Sequence, residues 1–79
     1  MPITLANQGE EVMIQRVGGS QEIKNHLADL GFVPGADVSI ITEIGGNLIV
    51  NVKESRVAIS KEMARRIMVW NRSGIYEDT

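Results

Sequence analysis

His26-Leu27-Ala28-Asp29-Leu30-Gly31-Phe32-Val33-Pro34-Gly35-Ala36-Asp37-Val38-Ser39-Ile40, residues 26–40, passes from a helical pattern into an alternating strand without a linker. Gly31 falls where a helix commonly ends in the left-handed conformation, and Phe32 is placed to fold back over the last turn. Pro34 and Gly35 then occupy the two central positions of a type II turn, which needs φ near −60° followed by φ above zero. Two consecutive turns therefore steer the chain from helix to strand within one small domain.

N-terminal to this corner, Ser20 is suited to cap a helix that carries Glu22 in its first turn, where the dipole favours an acid. Ile23, Leu27 and Leu30 form one narrow apolar stripe, as in a helix packed on a sheet. Before it, residues 11–17 alternate, with Val12 and Ile14 on one face, and Gly18-Gly19 end the run. Ile3-Thr4-Leu5 is short enough to add a strand ahead of it.

C-terminal to the corner, Val38, Ile40, Thr42 and Ile44 read as one apolar strand face, and Leu48, Val50 and Val52 as the next. A two-residue Gly45-Gly46 loop puts these faces on opposite sides of the sheet, because side-chain direction alternates with every residue. A three-residue turn, Gly45-Gly46-Asn47, restores them, pairing Ile44 with Leu48 and Ile40 with Val52, with Asn47 left-handed. The second hairpin needs an even loop, expected at Glu54-Ser55, which sets Lys53 opposite Arg56 and Val52 opposite Val57. Ser60 caps a short second helix, where Ile59 can staple on Ala64 and where Met63 and Ile67 face inward. Met68-Val69-Trp70 returns as a last strand, and a polar tail follows.

These elements describe a mainly β domain: a small SH3-like barrel of about five strands, with one inserted helix and a short helix before the last strand. Closing short strands on one another hides sheet edges. One domain over residues 1–72 and a polar tail over 73–79 are expected. A chain of 79 residues buries only about 60–65 per cent of the surface its unfolded form exposes, leaving little room for an enclosed catalytic cavity. Cysteine is absent, which excludes disulfides, thiolate metal sites and a cysteine nucleophile. The N-terminus has no signal-peptide pattern, and no apolar run approaches the roughly 18–20 residues that span a bilayer.

Charge is asymmetric. Residues 1–52 hold Arg16 and Lys24 against six acids, net −4, whereas residues 53–72 hold six cations against Glu54 and Glu62, net +4. The lone His26 has no Ser and Asp pattern around it, so no catalysis is expected and the chain reads as a non-enzyme. With Asp29 or Glu22 at helical spacing, His26 makes at most a weak, unselective metal site, and no cofactor is expected. Gly18-Gly19-Ser20 lacks the spacing of a nucleotide-binding loop. Three scattered aromatics cannot line a proline-peptide groove. The basic segment Lys53–Arg72 has grouped cations but no aromatic interleaved among residues 53–66, which leaves a solvated face, a partner-docking face and a small nucleic-acid-binding barrel as its readings.

Leu27–Val38 with its Leu-Gly-Phe-x-Pro-Gly, then Gly45-Gly46, then Ser55–Val69 with its Arg-x-Ala-Ile and Ala-x-x-Ile-x-Val pattern, resemble the FeoA family, ferrous iron transport protein A, over roughly residues 2–70. The resemblance implies an SH3-like barrel and a cytoplasmic accessory protein of ferrous iron uptake. It implies the FeoB transporter as partner, on its cytosolic side and through its G domain, so that the chain meets the membrane only through that partner. The same domain resembles the C-terminal module of iron-dependent repressors, without their preceding segments, so the chain is expected to stand alone. Leu27, Leu30, Phe32, Pro34 and Gly35 at the corner, with Arg56, Lys61 and Arg65, are the expected partner-binding residues. A metal sensor or chaperone using His26, Asp29 and Glu22 is the remaining alternative.

Overall fold

A computed structural model describes residues 1–71; the tail expected over 73–79 lies outside the described residues. Strand β1 (Glu11–Val17) is followed by helix α1 (Gln21–Asp29), strands β2 (Asp37–Ile44), β3 (Asn47–Val52) and β4 (Ser55–Ser60), helix α2 (Lys61–Ala64) and strand β5 (Ile67–Asn71). The five strands form one antiparallel sheet in the order β4-β3-β2-β1-β5. The inner face collects the core: Val12 and Ile14 of β1, Val38 and Ile40 of β2, Leu48, Val50 and Val52 of β3, Ile59 of β4, and Ile67 and Val69 of β5. Leu27, Phe32 and Ala64 fill it from the helices and the corner, so aliphatic burial supplies the main drive to fold.

Both helix starts form as the hydroxyls suggest. Ser20 Oγ accepts from the Ile23 N–H at 3.3 Å and Ser60 Oγ from the Met63 N–H at 3.2 Å. Along α1 only Leu27 is buried, while Ile23 and Leu30 pack on the core from its margin.

The sheet corrects several readings. Ile3–Leu5 is a 3-10 turn, closed by Leu5 N–H to Pro2 C=O and Ala6 N–H to Ile3 C=O, both at 3.0 Å. Ile3 enters the core as a plug, and Pro2 makes an isolated bridge to Met68. The first hairpin keeps the two-residue turn: Ile44 pairs with Asn47, and Gly45 and Gly46 take φ +56° and +82°. Neither residue has a Cβ to strain in a type I′ turn, and Asn47 stays extended, paired to Ile44 on one side and Ser60 on the other. The odd residue is taken up inside β2, where the register shifts between Ile40 and Thr42. Ile41 bulges, so Val38 and Ile40 oppose Val52 and Val50, and Glu43, instead of Thr42 or Ile44, lies on the core face opposite Leu48. Ile44 is turned out and is 64% exposed.

The second hairpin loop is even but sits one residue earlier, at Lys53-Glu54. Val52 pairs with Ser55, Asn51 with Arg56 and Val50 with Val57, so Lys53 and Arg56 are not opposed. This register aligns Val50 with Val57 and Leu48 with Ile59 on the core face, at the cost of a left-handed φ at Lys53 (51°) and Glu54 (63°). Ile67 faces the core from β5, outside α2.

Candidate docking surface

The corner is built by two interlocked turns. Leu30 ends α1, Gly31 takes φ +108°, and the N–H groups of Gly31 and Phe32 bond back to the carbonyls of Ala28 and Leu27, each at 2.9 Å. That pair of bonds is the Schellman arrangement, and it places the Phe32 ring in the core at 1% exposure. Ala36 N–H then closes on Val33 C=O at 3.0 Å with Gly35 at φ +89°. Two further bonds clamp the corner onto β1: Gly35 N–H to Ile14 C=O at 2.8 Å, and Ile14 N–H to Ala36 C=O at 2.9 Å.

Because the corner is fixed on β1, it forms one wall of a groove whose other wall is α1. The groove has a volume of about 350 Å³; Phe32, Val33 and Pro34 line it with Val17, and Arg16 and Lys24 contribute their cationic side chains. These are the two cations of residues 1–52, eight positions apart in a net-acidic segment. The sequence reading did not single them out, since it is the folded chain that brings them to one groove. The floor of the groove is apolar and its flanks are positive, which suits an apolar side chain beside an acid.

A second hollow, of about 410 Å³, opens between Thr4–Gln8 and the end of β2, with Ile40, Thr42 and Leu48 in its lining. Lys61 and Glu43 meet on its rim at 2.6 Å. Their side chains are 45% and 50% exposed, so the pair is screened and worth at most about 1 kcal/mol.

The expected partner residues are thus divided. Leu27 and Phe32 lie in the core and hold the corner from beneath; Leu30 packs on the core margin; Pro34 and Gly35 are exposed. Phe32 and Pro34 border the groove, Lys61 borders the second hollow, and Arg56 stands on β4, with Arg65 exposed at the end of α2. Arg66 folds its stem against Gly19, where an added Cβ would stand 3.1 Å from its Cδ. Glu22, His26 and Asp29 are exposed on α1, and among the described residues no group of three or more His, Cys, Asp or Glu could hold a metal ion. No helix among them is long and apolar enough to cross a membrane.

The combination of fold and corner has known counterparts, and residues 1–70 match the FeoA domain family. The chain belongs to that family. A provisionally named Fe(2+) transport protein A of Methanocaldococcus jannaschii is 29% identical over 68 residues, covering 86% of this chain and 83% of the relative. Among solved structures, a FeoA crystal structure described as an iron uptake regulatory protein superposes with a TM-score of 0.83 at 27% identity, covering 89% of this chain and 93% of that one. Stenotrophomonas maltophilia FeoA complexed with zinc, described as a procaryotic SH3 domain protein, gives a TM-score of 0.76 at 26% identity, with 89% of each chain covered. The five-stranded sheet of this FeoA domain is accordingly an SH3-like fold.

Proposed function

We propose that this FeoA chain is a cytoplasmic accessory protein of ferrous iron uptake that acts by docking on the cytosolic side of the FeoB transporter and biasing its G domain between nucleotide states. The match of residues 1–70 to the FeoA domain family carries the reading, and the Fe(2+) transport name of the archaeal relative supports it. The groove with Arg16 and Lys24 on its flanks offers a surface for an apolar, acid-bearing segment of that partner. The chain works by binding and not by catalysis, and biasing the G domain requires unequal affinity for its two nucleotide states. The chain carries a net charge of −2 and has no aromatic for base stacking among residues 53–66, which favours protein docking over nucleic-acid binding as the use of this surface.

NMR titration of the isotope-labelled chain with the cytosolic part of FeoB, in its GTP-analogue and GDP forms, tests the reading. Saturable shifts that map to Arg16, Lys24, Val33 and Pro34 and differ between the nucleotide forms are expected. Replacing Arg16 and Lys24 together by alanine should weaken binding about three- to tenfold, and more at low salt, the range for exposed charge pairs. The absence of shifts with both forms would remove direct docking on the G domain.

A further inference from the structure

The two edges of the sheet are finished differently. On β5, Met1 lies along the outer side and exchanges two main-chain bonds with Val69: Val69 N–H to Met1 C=O at 2.7 Å, and the Met1 amine to Val69 C=O at 3.0 Å. On the opposite edge, β4 pairs with β3 alone. The pair next to the two-residue Lys53-Glu54 turn, Val52 and Ser55, is a hydrogen-bonded pair, so by alternation Val50 with Val57 and Leu48 with Ile59 are bonded too. The main-chain N–H and C=O groups of Arg56 and Ala58 therefore point away from β3. Among the described residues neither group has a main-chain partner.

This edge is not disguised. Its register with β3 is unbroken from Asn47 with Ser60 to Val52 with Ser55, without a bulge, and β4 contains no proline and one charge, Arg56. Natural edge strands left in that state are templates for another strand. We propose that the β4 edge is a strand-addition site for an extended segment of another protein, paired antiparallel through the N–H and C=O groups of Arg56 and Ala58.

Charge and side-chain size define the occupant. Residues 53–66 hold Lys53, Arg56, Lys61, Arg65 and Arg66 against Glu54 and Glu62, a net charge of +3. A second copy of this chain would set two such segments side by side, so an acidic partner segment is the complementary one. On the outer face Arg56 and Ala58 are exposed, and Ala58 leaves the half-buried Ile49 beside it uncovered. An incoming strand has room for an apolar side chain opposite Ala58 and an acid opposite Arg56, two residues later in its own direction, which gives the pattern apolar-x-acidic. The proposal follows from the edge geometry and does not depend on the transporter reading, and its test contains no transporter.

The probe is acetyl-Thr-Val-Thr-Glu-Thr amide, titrated into the labelled full chain, alongside the same peptide N-methylated at Val and Glu. Saturable shifts over residues 55–60 are expected with the first peptide. With the second, which keeps the side chains but loses two main-chain donors, affinity should fall about tenfold or more. Arg56→Glu should reverse the preference toward the peptide with Lys in place of Glu. Ala58→Pro, which removes one outward N–H at an edge where proline is tolerated, should abolish binding while the rest of the amide spectrum is unchanged. Equal binding of the N-methylated peptide, shifts confined to another surface, or no shifts at all would overturn the proposal. Sedimentation showing a dimer of the free chain that Ala58→Pro dissolves would overturn it in favour of a second copy.

Discussion

Replacing Gly31 by alanine tests whether the corner is held by backbone geometry alone or also by packing. At φ +108° an added Cβ carries the left-handed penalty, about 1–2 kcal/mol. It would also stand 3.2 Å from Val52 Cγ2 and 3.4 Å from Lys53 Cδ. The Lys53 stem can swing away, but Val52 is 1% exposed and locked among core neighbours, and such overpacking costs about 1–3 kcal/mol. Restricting the unfolded chain returns about 0.4–1 kcal/mol, so Gly31→Ala should destabilise by about 2–4 kcal/mol.

Gly35 is the internal control: its φ is +89°, and an added Cβ there meets nothing within 4 Å. Gly35→Ala thus carries the strain without the contact and should cost about 0.5–1.5 kcal/mol. Urea unfolding of the two variants, read by Trp70 fluorescence and far-UV circular dichroism, gives the difference directly. In a domain of this size 1 kcal/mol moves Tm by about 4–8 °C, so the two should melt visibly apart. If Gly31→Ala loses no more stability than Gly35→Ala, the close approach of the corner to β3 is not a packing constraint, and backbone conformation alone accounts for Gly31.

Three further outcomes are expected. Glu54→Gly relieves a left-handed side chain at the second position of the β3–β4 turn; after the entropic cost of glycine it should stabilise by about 0.5–1 kcal/mol, seen as a higher urea midpoint with an unchanged slope. A double-mutant cycle of Glu43→Gln and Lys61→Met should return a coupling of no more than about 1 kcal/mol that shrinks in 1 M salt, and a salt-independent coupling would contradict the exposed placement of that pair. Ser20→Ala and Ser60→Ala should each cost about 1 kcal/mol and add nearly independently in unfolding measurements, since each removes the acceptor for one helix-start N–H.

Much of this domain is legible in its sequence wherever the deciding interactions are local. Ser20 and Ser60 cap because a hydroxyl reaches an N–H three residues on. Leu-Gly-Phe ends α1, and Val-Pro-Gly-Ala turns the chain, because Gly31 and Gly35 alone there can hold positive φ without a side chain. The alternation of Val12 with Ile14, and of Leu48, Val50 and Val52, marks the core face directly. The same local signals carry the family resemblance, which residues 1–70 bear out.

Where the odd residue of the first hairpin goes is a different kind of question. Parity demands one extra residue between Ile40 and Leu48, but a looser turn and a bulge satisfy it equally. The choice of Ile41 depends on Asn47 keeping partners on both sides, one of them in β4, which no reading of β2 and β3 alone contains. The convergence of Arg16 and Lys24 on one groove, and the capping of β5 by Met1 while β4 stays open, are likewise products of the assembled sheet. Local propensity acts over a few residues and is written in them; the register of a sheet and the neighbours of a surface charge are set by contacts between distant segments, and those exist only once the chain has folded.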